Sequence, residues 1–146
     1  MIISKDLPRF EGETAFLIVT SRQEADFFRA GDGDLEKIAN FMVEAPKHSD
    51  REGHFKTRGH GMTLASGAVY EAKKEKILQD FRREFKKTLK NILADNKPDR
   101  IYLFTPDYMA NEVQKLLPRE LASVLEKTIH GNFYGEHEFE LLKKIA

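Results

Sequence analysis

The stretch Asp99–Ile129, DRIYLFTPDYMANEVQKLLPRELASVLEKTI, decides the fold. Within it, Arg100–Thr105 (RIYLFT) is a short apolar run of the kind that forms a buried strand. Pro106-Asp107 then starts a helix expected over 107–117, because proline's fixed φ suits a first helical turn. Pro118-Arg119-Glu120 opens a further helical turn through Leu125, and Lys127–Tyr134 follows as a last strand or an irregular edge. Phe139–Ile145 is expected to be a short terminal helix.

Upstream, Thr14–Ser21 (TAFLIVTS) is a nearly continuous apolar, β-branched run and predicts a buried central strand. After a turn at Ser21-Arg22, Gln23–Ala30 reads as a second strand. Gly-Asp-Gly-Asp at 31–34 is a hairpin signal, since these residues tolerate the positive φ of tight β-turns. Leu35–Glu44 is the third strand. Tyr70–Ala94 predicts a long helix whose apolar stripe, Ile77, Phe81, Phe85, Leu89 and Ile92, recurs every three or four residues. Lys76, Arg83, Lys87 and Lys90 form a second stripe displaced from it. Asn96-Lys97-Pro98 stops this helix, because proline disfavours helical geometry in the residue before it.

The expected fold is therefore α/β (an α+β mixed sheet), with five strands and flanking helices. The right-handed crossover rule places the fourth strand beside and parallel to the first, as in ribonuclease H-like folds. A length of 146 residues fits a single domain, 1–146. No apolar run approaches the roughly 20 residues that span a bilayer, so no membrane partner is expected. The start, MIISKDLPRFEGE, has no signal-peptide core, and a cytoplasmic protein is expected. The absence of cysteine excludes disulfides, thiolate metal sites and cysteine nucleophiles.

Net charge is zero but unevenly placed. Residues 46–90 carry twelve Lys/Arg against six Asp/Glu, and the remainder carries the opposite imbalance. A locally basic surface favours a polyanion or an acidic partner. Within that region Pro46–Tyr70, PKHSDREGHFKTRGHGMTLASGAVY, reads as a flexible loop rich in histidine and glycine. His48, His54 and His60 do not follow the spacing of a zinc helix, which favours solvated loop histidines, and neither a metal nor another cofactor is expected. A catalytic role for them would require the loop to fold back on a carboxylate such as Asp50 or Glu52. Arg58-Gly59-His60-Gly61 admits two readings, a loop that needs glycine to turn or a nest of backbone N–H groups around an anion. Ser66 is placed to cap the long helix rather than to act as a nucleophile. The candidate RNA- or anion-binding residues are Lys56, Arg58, Gly59, His60, Gly61, Lys73, Lys76, Arg83 and Lys87.

The strand TAFLIVTS with RQEADFF, the helix ILQDFRREFKKTLKNIL and above all the strand–Pro–helix–Leu-Pro-x-x-Leu string of 99–129 carry a family resemblance. The chain resembles the bacterial proteins related to archaeal and eukaryotic release factors, a group that also goes under the name host attachment proteins. The resemblance implies a fold like the middle domain of those release factors and of Pelota, and a partner in the ribosome, tRNA or rRNA. Release factors carry a Gly-Gly-Gln tripeptide in a basic loop before the long helix, and its glutamine promotes peptidyl-tRNA hydrolysis. The matching region here is Arg58-Gly59-His60-Gly61-Met62, and no glutamine occurs from Pro46 to Tyr70. The expectation is a translation-associated, ribosome- or RNA-binding domain to which no catalytic residue is assigned. The alternatives are a peptidyl-tRNA or RNA hydrolase that uses the loop histidines, and a module that binds a protein partner.

Overall fold

A computed structural model describes the backbone of residues 1–44 and 59–146, and the side chains of 1–44 and 71–146. In chain order the elements are β1 (Thr14–Thr20), β2 (Glu24–Gly31), β3 (Asp34–Met42), α1 (Gly59–Leu93), β4 (Arg100–Thr105), α2 (Asp107–Leu116), α3 (Arg119–Ala122), β5 (Leu125–His130) and α4 (Glu138–Ile145). They build one mixed sheet in the order β3-β2-β1-β4-β5. The first three strands are antiparallel neighbours, whereas β4 runs parallel to β1 with Leu103 opposite Ile18, and β5 runs parallel to β4. The expected five-stranded mixed sheet, with the fourth strand beside the first, is the one observed.

The unbroken apolar run of β1 follows from its central place. Phe16 and Ile18 face a core closed by α1, α2 and α3, and Ala15, Leu17 and Val19 face a second core on the opposite side. A strand covered on both faces has no solvent side on which to place polar residues. In the first core, α1 lays Ile77, Phe81, Phe85, Leu89 and Ile92 on the sheet, all buried. The second core is closed by Ile3 and Leu7 of the N-terminal segment and by Leu141 and Leu142 of α4.

Asp32 (φ 49°) and Gly33 (φ 79°) join β2 to β3 between the paired residues Gly31 and Asp34. Two successive positive φ values define a type I′ turn, the two-residue connection that matches strand twist. A Cβ on Gly33 would meet the Arg9 guanidinium as well as the strained backbone. Gly33→Ala is expected to cost about 1–2 kcal/mol and to lower the melting temperature by roughly 3–6 °C, as read by circular dichroism.

Tyr134 lies over the edge of the second core, with its hydroxyl 3.5 Å from Asp26 Oδ1. Burial, reinforced by the Glu24 and Asp26 carboxylates, pushes its phenol up to about 12. Between the ordinary tyrosine range and that value the folded chain keeps a proton that the unfolded chain releases. This group's contribution to stability therefore falls as pH rises through that window. Spectrophotometric titration should show a phenolate step near pH 12 that Tyr134→Phe lacks.

The main correction concerns the start of the long helix, which is Gly59 rather than Tyr70. Once a helix exists, each added residue gains a hydrogen bond without a new nucleation cost. Met62, Leu64, Ala65 and Ala68 are good helix formers and add little to the roughly 1 kcal/mol penalty of each glycine. Ser66 therefore lies inside α1 and is not its N-cap. Gly59, His60 and Gly61 are helical, so they do not form the αR–αL alternation of a backbone nest. The rest of the expected loop, 46–58, lies outside the described residues. The turn after Pro118 ends at Ala122, and β5 spans Leu125–His130 rather than 127–134. Its end is marked by Gly131, whose N–H donates to the Thr105 carbonyl.

Candidate nucleic-acid interface

The position of each side chain on α1 follows from the helical repeat. At about 100° per residue, Lys76, Arg83, Lys87 and Lys90 fall on the side of α1 opposite the buried stripe. All four are exposed, as is the neighbouring Lys86. From Lys76 to Lys90 the ridge runs about 21 Å along the axis at 1.5 Å per residue. Lys73 is partly buried on its flank.

The ridge has two electrostatic halves. Asp80 neutralises the first half, with Oδ1 at 3.2 Å from Lys76 Nζ and 3.0 Å from Arg83 Nη1. Arg83 also approaches Glu84 at 3.6 Å. The hydrogen bond from Lys76, with the charges of Lys76 and Arg83, holds the Asp80 carboxyl below its ordinary range. In the second half, Lys86, Lys87 and Lys90 have no ion-pair partner among the described residues. Arg82 projects to another side, where its guanidinium binds Glu112 of α2 at 3.0 Å and ties the two helices together.

This arrangement makes Asp80 a built-in competitor for any anion at Lys76 and Arg83. Asp80→Asn should release Lys76 and leave Arg83 with Glu84 alone. It is expected to tighten binding to a single-stranded oligonucleotide about threefold at low salt and to steepen the salt dependence. Filter binding at two salt concentrations would check both.

Of the candidates from sequence, the structure brings Lys76, Arg83 and Lys87 onto one face, with Lys73 beside them. Gly59, His60 and Gly61 form the first turn of the same helix, and Lys56 and Arg58 lie outside the described residues. His48 and His54 also lie outside them, so a loop-histidine site is not described.

Other polar groups meet at the carboxyl ends of the parallel strands. His130 Nδ1 is 2.6 Å from Asp107 Oδ1, and both residues are exposed. Thr20 and Thr105 hydroxyls share a buried hydrogen bond of 2.8 Å. Arg22 stacks over Tyr108 at 5.3 Å from the ring centre. The His130–Asp107 pair escaped the sequence reading because nothing in the spacing of these residues signals contact. Their meeting depends on the β4–β5 register, which sets His130 opposite Thr105, two residues before Asp107. Among the described residues no group of three or more His, Asp or Glu could hold a metal ion. No helix among them is long and apolar enough to cross a membrane.

The fold and this basic helix face define a mixed α/β domain with a cationic ridge on its longest helix. The model of bacterial archaeo-eukaryotic release factor family 12 matches residues 14–145, and the chain belongs to that family. Among solved structures, an archaeal translation termination factor, aRF1, is similar with a TM-score of 0.49 and 11% identity, over 82% of this chain and 30% of that one. A structure described as an archaeal protein matches with a TM-score of 0.41 and 12% identity, over 91% of this chain and 37% of that one. The PilM–PilN type IV pilus biogenesis complex matches with a TM-score of 0.41 and 14% identity, over 96% of this chain and 43% of that one. This chain thus spans less than half the length of each of the three. No curated protein matches it.

Proposed function

We propose that this chain is a translation-associated domain that binds ribosomal RNA or tRNA in the cytoplasm through the exposed face of α1. The observation that carries the reading is the ridge of Lys76, Arg83, Lys86, Lys87 and Lys90, whose C-terminal three cations are unpaired among the described residues. An unpaired lysine ridge gains binding free energy by releasing the counterions condensed on a phosphate backbone. Membership of a release-factor family supports RNA as the polyanion. Lys56, Arg58, Gly59, His60, Gly61 and Lys73 are proposed to extend the surface toward the N-terminal end of the helix. Arg58-Gly59-His60-Gly61 resembles the region in which release factors carry Gly-Gly-Gln but contains no glutamine, and the role proposed is therefore binding rather than peptidyl-tRNA hydrolysis.

The test is co-sedimentation with purified ribosomes at about 50 and 300 mM salt, a range over which phosphate contacts weaken steeply. Binding at the lower salt that is lost at the higher is expected. If neither ribosomes nor a single-stranded RNA binds even at low salt, the reading is wrong.

A further inference from the structure

The geometry points to a second surface. We propose that the groove between the C-terminal turns of α1 and the α2–α3 corner docks an acidic, amphipathic peptide segment of a partner protein. Leu93 at the end of α1, Ala94 just after it and Pro118 from the corner form an apolar floor over buried leucines. Lys86 and Lys90 stand on one wall and Lys115 of α2 on the other. All three lysines are exposed and have no ion-pair partner among the described residues. Glu120 is the one carboxylate that lines the groove, whose volume is about 730 Å³.

The chemistry of the floor selects the occupant. No aromatic side chain lines the groove, so it offers no platform on which a nucleotide base could stack. Placing base edges against leucine, alanine and proline would leave their polar atoms without partners. Aliphatic anchors lose nothing there, and carboxylates flanking them would meet lysines on both walls. An amphipathic helix lays such anchors into a groove at i and i+3 or i+4. The fitting segment therefore carries a pair of large aliphatic residues at that spacing, bordered by Asp and Glu. The site goes beyond the RNA-binding reading: it shares Lys86 and Lys90 with the ridge, but its floor and second wall depend on Ala94, Lys115 and Pro118, which are not part of it.

The experiment is selection of a phage-displayed library of random 16-residue peptides on the purified chain. A fluorescein-labelled copy of the leading peptide is then followed by fluorescence anisotropy. Enriched peptides should be acidic, with an aliphatic pair at i and i+3 or i+4. The leading peptide should bind at least tenfold more weakly to Ala94→Glu and to Lys115→Glu, and within twofold of the parent to Lys87→Glu. Ala94 and Lys115 are both exposed, so the two substitutions test the groove independently, with circular dichroism as the check on folding. The proposal is overturned if no peptide is enriched, if the enriched peptides are neutral or basic, or if both groove variants retain them. It is also overturned if a 12-nucleotide single-stranded RNA binds and loses affinity in Ala94→Glu, which would give the groove to nucleic acid. Loss of ribosome binding with peptide binding intact would instead strike only the RNA reading.

Discussion

Phe85→Ala is expected to remove about 3–5 kcal/mol of folding stability, the usual range for deleting a fully buried phenylalanine. Phe85 is 0% exposed and sits where α1 meets the sheet. Its ring centre lies 5.4 Å from that of Phe27 on β2, 5.9 Å from Phe81 one turn earlier and 6.5 Å from Phe41 on β3. Truncation removes all three aromatic contacts at once. The cavity left behind is walled by two paired strands and a helix, which cannot close in without breaking the β2–β3 ladder. A cost near the upper part of the range follows. Against a total stability of about 5–15 kcal/mol for an ordinary domain, the variant should lose between about a third and all of the original urea midpoint. Phe85→Leu, which fills most of the space, should cost about 1–1.5 kcal/mol. If Phe85→Ala moved the midpoint no more than Phe85→Leu, α1 would not be held to the sheet by this stripe.

The same stripe shows what sequence can and cannot specify. Ile77, Phe81, Phe85, Leu89 and Ile92 share one face of any helix that contains them, and burial on the sheet follows from that alone. The hairpin at Asp32-Gly33 was legible for a similar reason, because positive φ at two successive residues narrows the chemistry to a few pairs. The neighbouring places of β1 and β4 followed from two apolar runs joined through a helix. The N-terminal end of α1 was not legible. Gly59, Gly61 and Gly67 carry the composition of a loop, while the helix that absorbs them draws its stability from residues further along the chain. The partners of charged residues divide in the same way. Lys76 with Asp80 lies within reach of helical spacing, whereas Arg82 with Glu112, like the placing of Lys86 and Lys115 on facing walls of one groove, depends on how α2 docks against α1. Contacts made within one element can be read from a period in the sequence. Contacts between elements need the packing, and the second wall of the groove is of that kind.

Reversing the ridge has the larger functional consequence. Lys76→Glu, Arg83→Glu, Lys87→Glu and Lys90→Glu together should lower affinity for single-stranded RNA at least a hundredfold near 50 mM salt. If each cation contacts a phosphate, the slope of log K against log salt should become shallower by about 0.7 for each, or roughly 3 in all. All four positions are exposed, so the melting temperature should change by only a few degrees. A change of eight charges also alters the field of the whole molecule, and contact must be separated from net charge. Lys5→Glu, Lys97→Glu and Lys127→Glu together supply that control, since these exposed lysines lie off the long helix. A bulk-charge effect would weaken RNA binding in the control in proportion to the charge changed, with a steady drift in affinity. A contact surface would leave the control's slope near that of the parent and flatten only the ridge variant. Unchanged affinity and slope in the ridge variant would make Lys76, Arg83, Lys87 and Lys90 a solvated helix face, kept polar only because the opposite face is buried. The paired half of the ridge adds a finer check. Because Asp80 already holds Lys76 and Arg83, reversing Lys87 and Lys90 alone should account for more than half of the loss. An equal split would mean that Asp80 gives up both cations when RNA arrives.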